Sequence, residues 1–219
     1  MITLNDIKKD QEVLALFKGV STCIKALGYT EHSERHCGIV SNWAGEILKA
    51  VGEDERTIEL GKIAGYLHDI GNAVNRSDHA KIGAMLAYQL LLKRGMDANE
   101  ATQIMMAIGN HDEDCGVPVN NICSALIIAD KSDVHFSRVI DRNVHYELMD
   151  IHDRVNFAVE KSFIEVKEKQ ISTNITVNTK ISPVMDYFEI YATRMQMCRR
   201  AARFLNYEYA LIINGIKIV

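Results

Sequence analysis

The sequence has little proline, no long apolar run and no cysteines paired at metal-binding spacing. Only Pro118 and Pro183 are proline among 219 residues, so long stretches are free to form helix. No uninterrupted apolar run exceeds five residues, as at 125–129, whereas a membrane-spanning helix needs roughly 20. The five cysteines form no Cys-x-x-Cys pair, which argues against a zinc knuckle or disulfide framework and favours free thiols.

An excess of basic charge is also missing. The chain has 25 Lys and Arg against 29 Asp and Glu, a net charge of -4. Such a balance offers no global field for long nucleic acid or an anionic membrane, although it is compatible with a local basic pocket. The first residues lack the apolar core and cleavage site of a signal peptide. We therefore expect a cytoplasmic protein that binds neither long nucleic acid nor membrane.

Apolar residues recur at helical spacing over most of residues 1–168. Acidic or small polar residues at Asp54, Ser77 and Asp97 suit helix starts, and Gly28 suits a helix end. The predicted helices cover about 7–27, 40–51, 54–70, 77–95, 97–110, 119–131 and 146–169, with an irregular stretch at 132–145.

The pattern changes after residue 170. Residues 171–178 alternate apolar and polar side chains as a strand does, Pro183 opens a further helix to about residue 206, and Asn214–Gly215 between two β-branched runs predicts a hairpin. The fold class is therefore mainly α. We expect a helical domain over 1–169 and a small C-terminal α+β element containing a β-hairpin over 170–219, one strand of which could pair with a second subunit.

Several predicted helices each place one imidazole or carboxylate at the end of the apolar stripe that faces the core. His36, for example, is in phase with Val40, Trp43 and Ile47. The complete set is His36, His68, Asp69, His79, His111 and Asp130. Two buried carboxylates among four histidines, with no Arg or Lys on the same stripes, need a cation. Imidazole and carboxylate suit Fe, Mn, Zn, Co or Ni, and six ligands predict two metals bridged by one Asp.

These residues stand in the order H…HD…H…H…D, within the segments RHCGIV, GYLHDIGN, DHAKIGA, AIGNHD and LIIADKSD. This pattern resembles the HD superfamily of metal-dependent phosphohydrolases over residues 30–140, and is closer to its two-metal members. The resemblance implies an HD-domain helical bundle that hydrolyses a nucleotide or small phosphate ester by a metal-bridging hydroxide. Asn72 departs from the Lys of many two-metal relatives, and the GYP motif of one subgroup is absent.

The resemblance also implies a role for each residue. His36, His68, Asp69 and Asp130 would hold one metal, and Asp69, His79 and His111 the second. The expected ions are two divalent metals, iron or manganese first, with nickel, cobalt or zinc as alternatives. The expected catalytic residues are His68, Asp69 and Asp133.

Other residues near the motifs are candidates for contact with substrate or for second roles. Asp133 would orient a ligand histidine or simply end its helix. Arg76, Lys131 and Arg138 are candidates to bind the substrate phosphate. The acidic residues 112–114 are expected to form an exposed turn, with proton transfer as the alternative.

We expect a small phosphorylated substrate, nucleotides being favoured, and a homodimer is an open expectation. Two other functions stay open. One is a di-iron oxygenase of the same superfamily, and the other is a non-catalytic metal- or nucleotide-binding regulatory module.

Overall fold

The computed structural model describes residues 1–29, 34–114, 116–141 and 143–219. Its helices are α1 (Leu4–Lys8), α2 (Gln11–Leu27), α3 (Glu34–Val51), α4 (Glu55–Leu67), α5 (His79–Lys93), α6 (Ala98–Gly109), α7 (Asn121–Ser132), α8 (Ile151–Ala158) and α9 (Val184–Phe204), and its strands are β1 (Val159–Lys167), β2 (Gln170–Val177), β3 (Glu208–Ile213) and β4 (Ile216–Lys217). Short 3-10 turns occupy 70–73, 136–138 and 146–148. The mainly α class with a small C-terminal sheet is confirmed.

Side-chain caps explain where the helices begin. The carboxylates of Asp10, Asp54 and Asp97 each accept hydrogen bonds from two backbone N–H groups in the following first turn. The cap at Asp10 separates α1 from α2, so the single helix predicted for 7–27 is two helices. The predicted N-cap at Ser77 is displaced by one residue, because the chain enters α5 at His79 from a left-handed Asp78.

The predicted long helix over 146–169 is also wrong. Its helical part is α8, which ends at Ala158, and the chain continues directly into β1. This strand pairs antiparallel with β2, and Glu168 and Lys169 form the two-residue turn between them with φ of 46° and 65°. Glu and Lys favour helix locally, but pairing along the whole strand outweighs that preference. The sheet therefore includes residues from both predicted parts of the chain, the helical domain over 1–169 and the C-terminal element over 170–219.

The four strands lie in the order β1-β2-β3-β4. Strands β2 and β3 are parallel, with α9 as the crossover between them, while β3 and β4 form an antiparallel hairpin. The predicted Asn214–Gly215 turn is confirmed, with φ of 50° and 80° at its two residues. Because α9 packs on α7, buried side chains from Ile7 to Ile213 form one hydrophobic core.

Cysteines and helix lengths agree with the sequence analysis over the described part of the chain. Cys23, Cys37, Cys123 and Cys198 are free thiols, and Cys115 lies outside the described residues. Among the helices of the described ranges, none has both the length and the apolar composition needed to cross a bilayer.

Candidate metal centre

The six predicted ligands come from five helices and meet in the core. His36 lies on α3, Asp130 lies in the last turn of α7, and the other four stand at helix ends. His68 ends α4, Asp69 follows it, His79 begins α5 and His111 follows α6. The four imidazoles and Asp69 are at most 2% exposed, and the Asp130 side chain is 12% exposed.

One half of the cluster is formed by His36, His68 and Asp130. Asp130 Oδ1 lies 3.2 Å from His36 Nε2 and 3.6 Å from His68 Nε2. Ligand atoms of these three residues all lie within 4.8 Å of one another, which suits a shared cation. Asp69 Oδ2 borders the same group, at 3.7 Å from His36 Nε2 and 3.4 Å from His68 Nε2.

The other half is formed by Asp69, His79 and His111, whose ligand atoms also lie within 4.8 Å of one another. Asp69 Oδ1 is 3.5 Å from His79 Nε2, and the Nε2 atoms of His79 and His111 are 3.3 Å apart. Asp69 thus turns one oxygen toward each half. This is the arrangement expected of a bridging carboxylate.

The hydrogen bonds of the histidine rings indicate whether the cluster could hold a cation. Each Nδ1 has its own acceptor: Asp133 Oδ2 for His36, and the carbonyl oxygens of Gly65, Arg76 and Ile108 for His68, His79 and His111, at 2.6–3.0 Å. A neutral imidazole that donates from Nδ1 presents an unprotonated Nε2. Acceptor atoms from six side chains therefore face one another, and the buried His68 Nε2 has no hydrogen-bond partner among the described residues. Divalent metals suit this donor set, and the residues present fit them.

The pKa values differ between the two halves of the centre. Burial alone would lower the pKa of His68, yet its pKa lies well above the ordinary value because Asp69 is adjacent. Burial would likewise raise the pKa of Asp130, but Lys131 and the two neighbouring imidazoles hold it well below its usual range. Burial, together with His68 and Lys131, holds the pKa of His111 well below its ordinary value. His111 is therefore neutral near pH 7, as a metal ligand must be.

Gly71 allows the two halves to meet. The turn at 70–73 carries the chain from Asp69 to the start of α5, and a Cβ at Gly71 would lie 2.0 Å from His79 O and 2.6 Å from Gly83 N. Only glycine permits backbone to approach backbone so closely. This packing holds Asp69 beside His79.

Asn72 orients the central carboxylate. Its Nδ2 donates to Asp69 Oδ1 at 2.8 Å and to Asp69 O at 3.0 Å, while its Oδ1 accepts from Arg76 at 3.3 Å. Asn72 is fully buried, so this contact is shielded from solvent. The residue at position 72 therefore holds Asp69 in place.

Asp133 orients His36 from the opposite side. Its Oδ2 accepts from His36 Nδ1 at 2.7 Å, and Arg35 and Arg138 lie 3.4 Å and 4.0 Å from the same oxygen. Burial would raise the pKa of Asp133, but His36 and the two arginines lower it, so the carboxylate is ionised. Of the two interpretations left open for Asp133, its geometry matches the orienting one.

Lys131 places a cation beside Asp130, although no Arg or Lys lies on the apolar stripes that carry the proposed ligands. Its buried Nζ is 2.6 Å from Asp130 Oδ2 and 2.6 Å from Glu113 Oε2. Asp130 therefore pairs with Lys131 through one oxygen and faces the histidines with the other. The expectation of a wholly exposed acidic turn at 112–114 is also wrong, since Glu113 bridges Lys131 to Arg194 Nε, 2.8 Å away.

Arg194 and Cys37 were missed by sequence reasoning. Arg194 lies on α9, 81 residues from its partner Glu113, and no local signal marks it. Cys37 is buried, and its Sγ lies within 4.8 Å of ligand atoms of His68 and Asp69. Its place next to His36 on α3 is the only sequence signal that could have pointed to it.

A small cavity of about 280 Å³ opens over the cluster. Four of the proposed metal-ligand residues line it, and its other lining residues are basic. The basic residues are Arg76, Lys131, Arg138 and Arg194. The three residues predicted to contact substrate phosphate are thus all at this cavity. Arg76 Nη1 lies 3.8 Å from Asp69 Oδ1 and 3.3 Å from His79 Nε2, so the guanidinium reaches the edge of the cluster.

A helical domain with a buried histidine and aspartate centre can be compared with known families. Residues 33–135 match the family model described as HD domain, and all six proposed ligands lie within that range. This segment, just under half of the chain, is therefore similar to the HD domain.

Individual relatives match only part of the chain. A protein of Methanocaldococcus jannaschii, named as uncharacterized, is 29% identical over 164 residues, covering 65% of this chain and 61% of the relative. Ribonuclease Y of Lawsonia intracellularis is 38% identical over 93 residues, which cover 41% of this chain and 16% of that one. Ribonuclease Y 1 of Pediococcus pentosaceus is 32% identical over 107 residues, 48% of this chain and 18% of that one.

One solved structure is similar in the same limited sense. It is that of a predicted HD superfamily hydrolase from an uncultured Thermotogales bacterium, 25% identical with a TM-score of 0.45. The match covers 61% of this chain and 75% of that one.

Proposed function

We propose that this protein is a metal-dependent phosphohydrolase that acts on a nucleotide or another small phosphate ester. The single observation that carries the proposal is the convergence of four imidazole Nε2 atoms and two carboxylates beneath a cavity whose other lining residues are all basic. Metal ligands below and guanidinium groups above suit a phosphoryl group, which offers oxygens to both. The HD domain supports the same class of reaction.

Two divalent cations are proposed for the centre, iron or manganese before nickel, cobalt or zinc. His36, His68, Asp69 and Asp130 would hold one, and Asp69, His79 and His111 the other. When bound, the metals supply Lewis-acid activation of water and of the phosphoryl oxygens.

The residues of the chain contribute position and charge. Asp133 and Asn72 fix the orientations of His36 and Asp69, so the ligands need little rearrangement during the reaction. Arg76 and Arg138 bind phosphoryl oxygens and offset the charge that develops there. In the net reaction a water oxygen bonds to phosphorus, the phosphorus–oxygen bond to the leaving group breaks, and the leaving oxygen receives a proton.

A small substrate is proposed over a long nucleic acid. The ribonuclease Y relatives are named for cleavage of RNA, but they are matched over less than a fifth of their own length. A net charge of -4 gives this chain no field that would gather a polyanion, and the cavity over the metal centre is small.

The direct test is an anaerobic screen of protein loaded with iron, manganese, nickel or cobalt. Mononucleotides, dinucleotides, sugar phosphates and a single-stranded RNA are the substrates, and released phosphate or cleaved product is measured. We expect metal-dependent release from at least one small ester and little from RNA. Absence of turnover by every loaded form would contradict the proposal and favour the regulatory module.

The His79→Ala variant tests the two-metal assignment in the same samples. Elemental analysis should find about one metal per chain instead of two, because only the second group of ligands loses a member. Turnover that requires oxygen, with no phosphate released anaerobically, would instead favour the di-iron oxygenase.

A further inference from the structure

A second cavity adjoins the one over the metal centre. It is open to solvent and offers about 770 Å³ of empty space, and both cavities are lined by Arg76, Arg138 and Arg194. These three arginines come from the segment before α5, from the turn that follows α7 and from α9 itself. They stand between the metal cluster and a space large enough for a small organic group. We call this second space the side cavity.

Charge distinguishes the side cavity from the other large opening near the centre. That opening, of about 950 Å³, is lined by Asp78, Asp112, Glu113 and Asp114, with only Arg76 and Lys81 as cations. The side cavity has three arginines against two aspartates, Asp150 and Asp153. Glu113 is paired with Lys131 and Arg194, but the three aspartates still make the first opening the more acidic one, so a phosphate outside the metal centre is favoured in the side cavity.

Two buried polar atoms at the side cavity have no partner among the described residues. Arg138 is 6% exposed and donates from Nη1 to Asp133 O at 3.0 Å, but its Nε–H has no acceptor. Asp153 Oδ1 is likewise buried without a donor. Burial and the neighbouring Asp150 raise the pKa of Asp153. Both residues line the side cavity, but these two atoms are themselves closed to water, so a bound molecule would meet the other polar atoms of the Arg138 and Asp153 side chains.

The far wall of the side cavity is aromatic and held in place. Tyr191 is buried, stacks on Tyr187 at 4.7 Å, and its hydroxyl accepts from Asn156 Nδ2 at 3.2 Å. The Arg194 guanidinium lies over the Tyr191 ring at 4.7 Å. A fixed aromatic wall beside a hydrogen-bond acceptor suits a ring that carries hydroxyl groups, as a nucleoside does.

We infer that the side cavity binds the nucleoside part of the substrate, and that the three shared arginines bind a second phosphate joining it to the phosphoryl group at the metals. This inference rests on the proposed function and gives it a substrate class, a nucleoside diphosphate or larger nucleotide. Arg138 and Arg76 line both cavities, so they bind this second phosphate as well as the phosphoryl group at the metals, and Asp153 accepts a hydrogen bond from a hydroxyl of the nucleoside. The C-terminal element therefore contributes to specificity through Tyr191 and Arg194.

Two probes with a non-hydrolysable bridge between their phosphorus atoms distinguish binding of the two phosphates from binding of the nucleoside. Methylenediphosphonate carries the two phosphoryl groups alone, and adenosine 5′-(α,β-methylene)diphosphate adds the nucleoside. Binding of each to manganese-loaded protein is measured by calorimetry. We expect the nucleotide probe to bind at least about tenfold more tightly, the gain expected from one or two additional buried hydrogen bonds. Equal affinity for the two probes would overturn the inference.

Matched variants locate the difference. Asp153→Ala should lower the affinity for the nucleotide probe by about tenfold and leave methylenediphosphonate binding unchanged. Asp114→Ala, at the other opening, should change neither. Because Asp153 is unpaired in the folded protein, Asp153→Ala should not lower the melting temperature. Unchanged nucleotide binding in Asp153→Ala, or weakened binding in Asp114→Ala, would place the nucleoside elsewhere and overturn the inference.

The arginines are tested in the same way. Arg138→Gln should weaken both probes, and Arg76→Gln, on the more exposed arginine, provides the same test if Arg138→Gln does not fold. Two probes that still bind with wild-type affinity to a folded arginine variant would contradict the second-phosphate site. These measurements need no turnover, so failure to hydrolyse any ester would refute the proposed function separately.

Discussion

Two buried polar clusters lie on either side of the last turn of α7. On one side Asp130 faces the histidines, where acceptor atoms outnumber donors. On the other side the hydroxyls of Ser132 and Thr173 lie 2.7 Å apart, and the Tyr209 hydroxyl donates to Thr173 Oγ1 at 3.0 Å. The hydroxyl cluster satisfies its own hydrogen bonds and joins α7 to the sheet. In the histidine cluster, by contrast, the buried His68 Nε2 has no hydrogen-bond partner among the described residues.

The difference separates a structural network from a functional one. Hydroxyl groups both donate and accept, so three of them can complete one another inside the protein. Neutral imidazoles whose Nδ1 atoms already donate can only accept at Nε2, as carboxylates do, so this cluster suits a bound cation. Burial alone does not distinguish the clusters, because the members of both are almost fully enclosed.

Replacing Asp69, the carboxylate shared by both groups of proposed ligands, should have the largest effect, which is on metal content. In Asp69→Ala both groups of ligands lose a member, so the metal content should fall from about two per chain to near zero. Elemental analysis after loading with manganese or iron measures it. The exposed Asp141→Ala is the control and should keep its metal. Retention of either metal by Asp69→Ala would contradict the bridging assignment.

Metal removal should destabilise the protein next most strongly. Because metals bind the folded state, free metal at about a thousandfold above its dissociation constant should add about 4 kcal/mol to the free energy of unfolding. Denaturant titrations with and without a chelator measure this difference. An unfolding midpoint that the chelator does not move would show that the histidine cluster is complete without metal.

Glu113→Gln should lower the free energy of unfolding by about 2–3 kcal/mol at pH 7, because Lys131 and Arg194 lose their shared carboxylate. Although burial raises the pKa of Glu113, the two cations hold it well below its usual range. Its stabilising contribution is therefore present above about pH 4.5 and lost as the pH falls toward the folded-state pKa.

The pH dependence provides the check on this prediction. In metal-free protein, the difference between wild type and Glu113→Gln should shrink between pH 7 and pH 3. Asp114→Asn, exposed in the same turn, should show little effect at either pH. A difference that is independent of pH would mean that the ion pairs contribute nothing.

Disrupting the hydroxyl cluster of Ser132, Thr173 and Tyr209 should have the smallest effect, which is on the free energy of unfolding. Thr173→Val keeps the shape but leaves Ser132 and Tyr209 without their partner, which should cost about 1–2 kcal/mol. The cost should be the same with and without metal, since the two clusters share no ligand. Thr176→Val, exposed on the same strand, is the control. A loss of metal content in Thr173→Val would show that the clusters are coupled.

Much of the centre could be predicted because its information is local. The helical period places His36 on the same face as Val40 and Ile47, and a buried stripe then fixes which way the imidazole points. Caps such as Asp97 and the Asn214–Gly215 turn depend on neighbours within a few residues. These features follow from backbone geometry and hydrogen bonding over one or two turns.

What could not be predicted depends on residues far apart in the chain. The segment 159–167 contains Glu and Lys that favour helix, and it becomes a strand because β2 is available to pair with it. Lys131 is buried because Glu113 and Asp130 flank it, and Glu113 is held by Arg194 from α9. None of these contacts leaves a periodic trace in the sequence.

The sequence by itself determined the candidate metal ligands, their order and most of the helices that carry them, because side-chain periodicity and polarity act over short distances. Only the tertiary structure decided which tautomer each histidine adopts, how the lysine and arginines surround the centre, and that the C-terminal helix forms part of its cavity. Those features arise from burial and charge pairing, whose energies depend on distances that exist only after the chain has folded.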